Sequence, residues 1–261
     1  MKNVALITGA SSGIGKEFAR IHAEKGNDLI LLARSKDKLE ALAHELKNQF
    51  ETEVIVIQKD LTQANAAREV FDEIQQANIK ITYLINNAGF GGRGYFHERK
   101  WEEDLAMINL NIIALTALSR FFLPEFVERN EGKILNVSST ASLMAGPLQA
   151  VYFATKAYVT SFSNALAGEL DGTKVTVTAL LPGATETEFA KTSGMDKTTL
   201  FNQTASARSV AEDGYNAMMA GKLEVLSGLT TMQKIMMASI PITPKKTLLK
   251  TIKKMQEVPS S

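Results

Sequence analysis

Short apolar runs, each followed by a longer stretch of helical spacing, occupy the first 180 residues of the chain. NVALIT (3–8), DLILLA (28–33), EVIVIQ (53–58), TYLIN (82–86), KILNVS (133–138) and KVTVTALL (174–181) are apolar almost throughout, not at alternate positions. Strands of that kind are buried on both faces, as in a parallel sheet covered by helices. The stretches between them supply the cover. SKDKLEALAHEL (35–46) has the leucine and alanine spacing of an amphipathic helix, and another is expected over about 63–77. The alternation predicts an α/β chain with a doubly wound, mostly parallel sheet and helices on both faces. No internal repeat, low-complexity tract or Pro/Gly-rich linker interrupts it before about residue 190, so residues 1–261 read as a single domain.

From Ala190 onward the pattern loosens. KTSGMDKTTLFNQTASARS is polar and loop-like, SVAEDGYNAMMAG reads as a helix, and EVLSG as a last edge strand. A methionine-rich stretch, GLTTMQKIMMASIPITP, and a basic ending, KKTLLKTIKKMQEVPSS, follow. No second core is encoded there, so residues 190–261 are expected to be a substrate lid and C-terminal elaboration of the same domain.

The 261 residues are 45% hydrophobic and 22% charged with net charge +1, which leaves no basic excess for a general nucleic-acid binder. Cysteine is absent, so disulfides, thiolate metal sites and a cysteine nucleophile are excluded. No histidine pair has ligand spacing, and no metal is expected. His22 and His44 fall at expected surface positions of helices, and His97 near a loop. The apolar start is too short for a signal-peptide core, and no stretch approaches the roughly 18 apolar residues of a membrane span. The expectation is a soluble cytoplasmic protein.

Directly after the first strand comes TGASSGIG (8–15), with Gly9, Gly13 and Gly15 in a G-x-x-x-G-x-G spacing around Ser11, Ser12 and Ile14. Glycines at the first βα crossing let backbone N–H groups approach a pyrophosphate at a helix N-terminus, as in Rossmann-type dinucleotide folds. The second strand should end at the adenine ribose, where an acid would select a 2′-hydroxyl. Here the chain has Ala33, Arg34, Ser35 and then Lys38. A guanidinium fork and a helix-capping hydroxyl suit a 2′-phosphate, so NADP(H) is expected over NAD(H).

YFATK (152–156) spaces Tyr152 and Lys156 four apart, on one face of a helix. An ammonium beside a phenol favours the phenolate, the basis of an acid/base device. The pair alone equally describes a half-buried aromatic beside a solvated charge.

The ordered set TGASSGIG, the DL of residues 60–61, NNAG (86–89), Asn111, Ser139, YFATK and PGATET (182–187) resembles the short-chain dehydrogenase/reductase family over about residues 3 to 190. The resemblance implies a nicotinamide cofactor and reversible hydride transfer between a carbonyl and an alcohol. It makes Tyr152 the general acid/base, Lys156 its partner, Ser139 (13 residues before the tyrosine) the carbonyl anchor, and Asn111 the holder of a water linking Lys156 to solvent. Asp60 and Leu61 would flank the adenine, and Asn87, Ala88 and Gly89 the ribose side. Pro182, Gly183, Thr185 and Thr187 would follow the carboxamide and phosphates. Tyr152 and Lys156 would also touch the cofactor. A homodimer or homotetramer is implied. At about 4 Å and an effective dielectric of about 20 the lysine would favour the phenolate by about 4 kcal/mol, roughly three pKa units.

Two other readings share these features. One is a catalytically idle, NADP(H)-sensing protein on the same fold. The other is a nucleotide-sugar epimerase-like enzyme, which usually has another glycine spacing and a larger C-terminal domain. Substrate choice is expected to rest on residues 90–97, 141–151 and the region after PGATET. Arg93, Tyr95 and His97 are candidate contacts. Met232, Met236 and Met237 with Leu229, Ile235 and Ile240 could form an adaptable lid over a substrate with a sizeable apolar part, or a helix docked on the body. Leu248, Leu249, Ile252 and Met255 share one face of a final helix ringed by Lys245, Lys246, Lys250, Lys253 and Lys254. Docking of residues 243–261 to the body or a neighbouring subunit is favoured over contact with a membrane surface.

Overall fold

A computed structural model describes residues 1–198, 201 and 203–257. Residues 199, 200 and 202 of the polar stretch and 258–261 of the basic ending lie outside the described residues. The first half alternates as the apolar runs require: β1 (Val4–Thr8), α1 (Gly13–Glu24), β2 (Leu29–Ala33), α2 (Lys36–Phe50), β3 (Val54–Gln58), α3 (Ala66–Gln76) and β4 (Ile81–Asn86). Next come α4 (Trp101–Ile108), α5 (Leu115–Arg129), β5 (Lys133–Val137), α6 (Ala150–Glu169) and β6 (Thr176–Pro182). The last part holds β7 (Thr185–Glu186), α7 (Phe189–Thr192), β8 (Ala205–Ser206), α8 (Ala207–Met219), β9 (Glu224–Ser227), α9 (Thr231–Ser239) and α10 (Lys245–Gln256).

Seven strands form one parallel sheet in the order β3-β2-β1-β4-β5-β6-β9, so EVLSG does supply an edge strand. β1, β2 and β4 are buried throughout, as apolar runs without alternation demand. Phe18, Leu39 and Tyr215 of α1, α2 and α8 cover one face. Val70, Phe122 and Phe126 of α3 and α5, with Leu166 of α6, cover the other. Strand order reverses between β1 and β4, and an α/β sheet opens a ligand crevice at that point, beyond the strands' C-terminal ends.

The structure corrects three expectations. His22 is not a surface residue: it is 0% exposed, paired with the Tyr215 hydroxyl at 2.9 Å and the Asn3 carbonyl at 2.8 Å. The helix expected from about 63 starts at Ala66, because Asn65 takes a left-handed φ of 64° that breaks the helical path. One run is also long and apolar enough to cross a bilayer. Trp101–Arg129 is continuously helical over 29 residues, with a mean hydropathy of 1.6 in its most apolar window. Here its Leu115, Leu118, Phe122 and Phe126 are buried in the core beneath the sheet.

Candidate active site

Thr8 ends β1, and the chain turns through Gly9 and Gly13, both left-handed at φ +66° and +53°. Gly15 has another reason to be glycine. A Cβ there would lie 2.3 Å from the Gly9 carbonyl and 2.4 Å from Asn87 Nδ2. Its missing Cβ thus brings α1 close against the turn and the β4 loop. Asn87 Nδ2 donates to the Thr8 carbonyl, and the Thr8 hydroxyl accepts from the N–H groups of Asn87 and Ala88. The loops after β1 and β4 are thus one hydrogen-bonded floor.

Above this floor lies a cleft of about 580 Å³. Apart from Gly15 and Asn111, every residue assigned to cofactor or catalysis from sequence lines it: Gly9, Ser11, Ser12, Gly13, Ile14, Arg34, Ser35, Asp60, Leu61, Asn87, Ala88, Gly89, Ser139, Tyr152, Lys156, Pro182, Gly183, Thr185 and Thr187. The cradle fits a dinucleotide. Ser12 makes no side-chain cap, and no acid occupies the first turn of α1, so the positive end of a 12-residue helix faces the cleft uncompensated by side chains. Ser35 caps α2 by position only, with no side-chain capping bond. Lys38 is shared with Glu188 at 3.0 Å. Burial raises the Asp60 carboxyl, but the Thr62 N–H and hydroxyl and the Arg34 charge outweigh it, and the net shift is downward.

At the other end of the cleft, α6 presents Tyr152 in its first turn and Lys156 in its second. Lys156 Nζ donates to the Val137 carbonyl at 2.8 Å and lies 5.9 Å from the centre of the Tyr152 ring. Ser139, on the turn after β5, accepts from the Ala141 N–H at 3.1 Å. Its neighbour Ser138 is a strut, bonded to the Lys156 carbonyl at 2.9 Å and to the Thr160 hydroxyl. The expected lysine effect on the phenol is corrected. Burial pushes Tyr152 up to about 12, with the Ser139 hydroxyl pulling partly back, and burial brings Lys156 down to about 8. Desolvation of both groups outweighs an ammonium held on Val137.

Asn111 lies in a π-helical turn, Asn109–Ala114, between α4 and α5. Its amide donates to the Phe90 carbonyl and the Thr155 hydroxyl, each at 3.0 Å, and accepts from the Phe90 N–H. Both amide hydrogens are engaged, so the side chain clamps the β4 loop to α6. A Cβ on Gly89 would lie 3.1 Å from Asn111 Oδ1 and 3.3 Å from Lys156 Nζ, which shows how closely these three residues converge.

The rest of the cleft wall is apolar. Tyr152 packs against Phe189 and Phe153 at ring separations of 5.3 and 6.1 Å. Of residues 90–97, Phe90 reaches the cleft, whereas Arg93, Tyr95 and His97 do not line it; Arg93 Nε instead donates to the Gln256 carbonyl. The lid expectation splits: Leu229, Met236 and Met237 line the cleft, whereas Met232 and Ile235 point outward at 74% and 60% exposure. Sequence reading missed that α10 itself contributes Ile252, Met255 and Gln256 to the wall. Their shared helical face was the available signal.

A doubly wound parallel sheet with a glycine-turn cradle at its reversal point and a Ser-Tyr-Lys cluster beside it defines a Rossmann-type α/β protein. The chain belongs to the short chain dehydrogenase family, a family of oxidoreductases, whose pattern matches residues 3–198. It is 35% identical over 193 residues to the human very-long-chain 3-oxoacyl-CoA reductase, covering 72% of this chain and 61% of that protein. The chain thus matches about three fifths of that relative's length. It is 37% identical over 194 residues to sulfoacetaldehyde reductase 2 of Chromohalobacter salexigens, covering 72% of this chain and 75% of that one. Among solved structures, a short-chain dehydrogenase from Sphingobium yanoikuyae in complex with NADPH superposes with a TM-score of 0.83 at 31% identity, over 97% of this chain and 98% of the other.

Proposed function

We propose that the protein is an NADP(H)-dependent oxidoreductase that interconverts a carbonyl and a primary or secondary alcohol on a substrate with a sizeable apolar part. The observation that carries this reading is the position of Tyr152. Its ring lines the same cleft as the glycine-turn cradle and Ser139, and belongs to an apolar cluster with Phe153, Phe189 and Met255. The nicotinamide cofactor supplies hydride in reduction and accepts it in oxidation. The chain's own groups handle the oxygen. A phenol raised to about 12 is protonated at neutral pH, the form required of a general acid toward a carbonyl oxygen. Ser139 donates to the same oxygen as charge builds there. The Lys156 ammonium, fixed on Val137, favours the phenolate as the proton leaves.

Preference for NADP(H) is supported by Arg34 and Ser35 at the cleft, by the lack of an acid at the end of β2, and by the NADPH bound to the Sphingobium relative. An apolar substrate is supported against a sulfonated one. Among the described residues, the cations lining the cleft are Arg34, Lys38 and Lys59 beyond β2 and β3, and Lys156, which is held on Val137. The side chains packed on the Tyr152 ring, Phe153 and Phe189, are apolar. The test is NADPH consumption with ketones and aldehydes of graded apolar size, with Tyr152→Phe alongside. Turnover that rises with apolar size and drops about 10²–10⁴-fold in the variant supports the proposal. Turnover confined to small charged carbonyls, or unchanged in Tyr152→Phe, overturns it.

A further inference from the structure

We infer that the outward side of α9, α10 and the turn between them is a docking surface for an anionic phospholipid bilayer. Three of the four most exposed large apolar side chains of the described residues fall within this one stretch: Ile242 at 84%, Met232 at 74% and Ile235 at 60%. Such a cluster at one place, unlike scattered single exposures, marks an interaction surface. Charge is equally concentrated. Residues 231–257 carry six lysines against a single acid, Glu257, while the remainder of the chain has more acids than bases. The occupant is therefore apolar at its contact depth and negatively charged at its surface, the combination that anionic headgroups over acyl chains present.

The geometry of the two helices separates this surface from the cleft. Gln233, Met236 and Met237 on α9, and Ile252, Met255 and Gln256 on α10, face the cleft. Ile235 and Lys234 lie on the opposite side of α9, and Lys246, Lys250 and Lys254 occupy the exposed side of α10. At its far end Lys253 sits 5.4 Å over the Tyr95 ring, which joins the half-exposed Tyr95 and the exposed Phe96 to the basic edge. Aromatic side chains of this kind favour the headgroup boundary. The same two helices thus wall an apolar cleft on one side and present an apolar, basic face on the other.

The test is sedimentation of the full chain with phosphatidylcholine vesicles, with and without phosphatidylserine, at low and high salt. The expected result is binding to the phosphatidylserine vesicles alone, released by salt over the range where screening shortens. Lys246→Glu/Lys250→Glu/Lys254→Glu should lower that binding by at least about 10²-fold, at about fivefold per lysine. Ile235→Asp/Ile242→Asp should weaken it while leaving turnover of a soluble ketone at the wild-type rate, since neither residue lines the cleft. Failure of the wild type to bind at low salt overturns the inference, as does binding that both variants retain. Self-association by size-exclusion chromatography that the aspartate variant abolishes, without vesicle binding, also overturns it in favour of a second copy of the chain on this face.

Discussion

The ammonium of Lys156 donates to the carbonyl of Val137 at 2.8 Å, tying the second turn of α6 to the last residue of β5. Burial lowers this ammonium to about 8 and lifts the neighbouring Tyr152 phenol to about 12. The reduction rate should therefore fall as pH rises through about 8, where the lysine loses the proton that favours phenolate formation. The phenol stays protonated across that range, so the falling limb belongs to the lysine. Lys156→Met should remove the limb from the pH profile of kcat/KM and lower activity by about 10²-fold or more.

Under the proposed NADP(H) preference, Arg34 should set the choice between the two nicotinamide cofactors. A charge-assisted hydrogen bond is worth about 1.5–3 kcal/mol, so Arg34→Leu should weaken NADPH binding about 10–100-fold. NADH affinity, measured by fluorescence titration on the same protein, should change little. Equal losses for both cofactors would assign Arg34 to the adenosine at large.

Gly15 touches the turn beneath the cleft, not its open side. Gly15→Ala forces a methyl against the Gly9 carbonyl and the Asn87 amide, neither of which is a flexible side-chain end free to move. Overpacking of this kind costs about 1–3 kcal/mol. Denaturant titration should show that loss, and cofactor affinity should fall with it because the Gly9–Gly13 path is displaced.

His22 should make the fold acid-sensitive. Burial lowers its folded-state pKa from 6.5 to about 4 against opposing hydrogen bonds and the Asp28 charge. The unfolded chain therefore binds the proton first as pH falls. This contribution is intact above about 6.5 and is lost progressively down to about 4. Between pH 7 and 5 the stability should drop by about 2 kcal/mol. His22→Gln, compared by urea titration at both values, should flatten that dependence.

Much of the architecture is legible in residue order. Unbroken apolar runs such as LILLA can be stable only between two layers, and the glycines of TGASSGIG have no other economical place than the first βα turn. The proximity of Tyr152 and Lys156 is legible from spacing on one helix, because i and i+4 meet whatever the tertiary fold, whereas their roles come from the family resemblance. Ser139 and Asn111 are assigned through family resemblance alone, since a serine in SSTAS or an asparagine in INLNIIAL has no local signature of chemistry.

Other properties depend on partners far away in sequence. His22 looks like a surface helix residue until Tyr215, 193 positions on, supplies a buried hydroxyl for its ring. The partners of the Asn111 amide, Phe90 and Thr155, lie 21 and 44 positions away in sequence. The tyrosine–lysine pair looks like a charge effect until burial of both groups reverses the expected shift. Local spacing encodes periodicity, turn conformation and neighbours within a turn or two, so the sequence by itself determined the layers, the cradle and the proximity of Tyr152 to Lys156. Burial, the identity of long-range hydrogen-bond partners and the sign of a pKa shift are properties of the assembled core, and only the tertiary structure decided them.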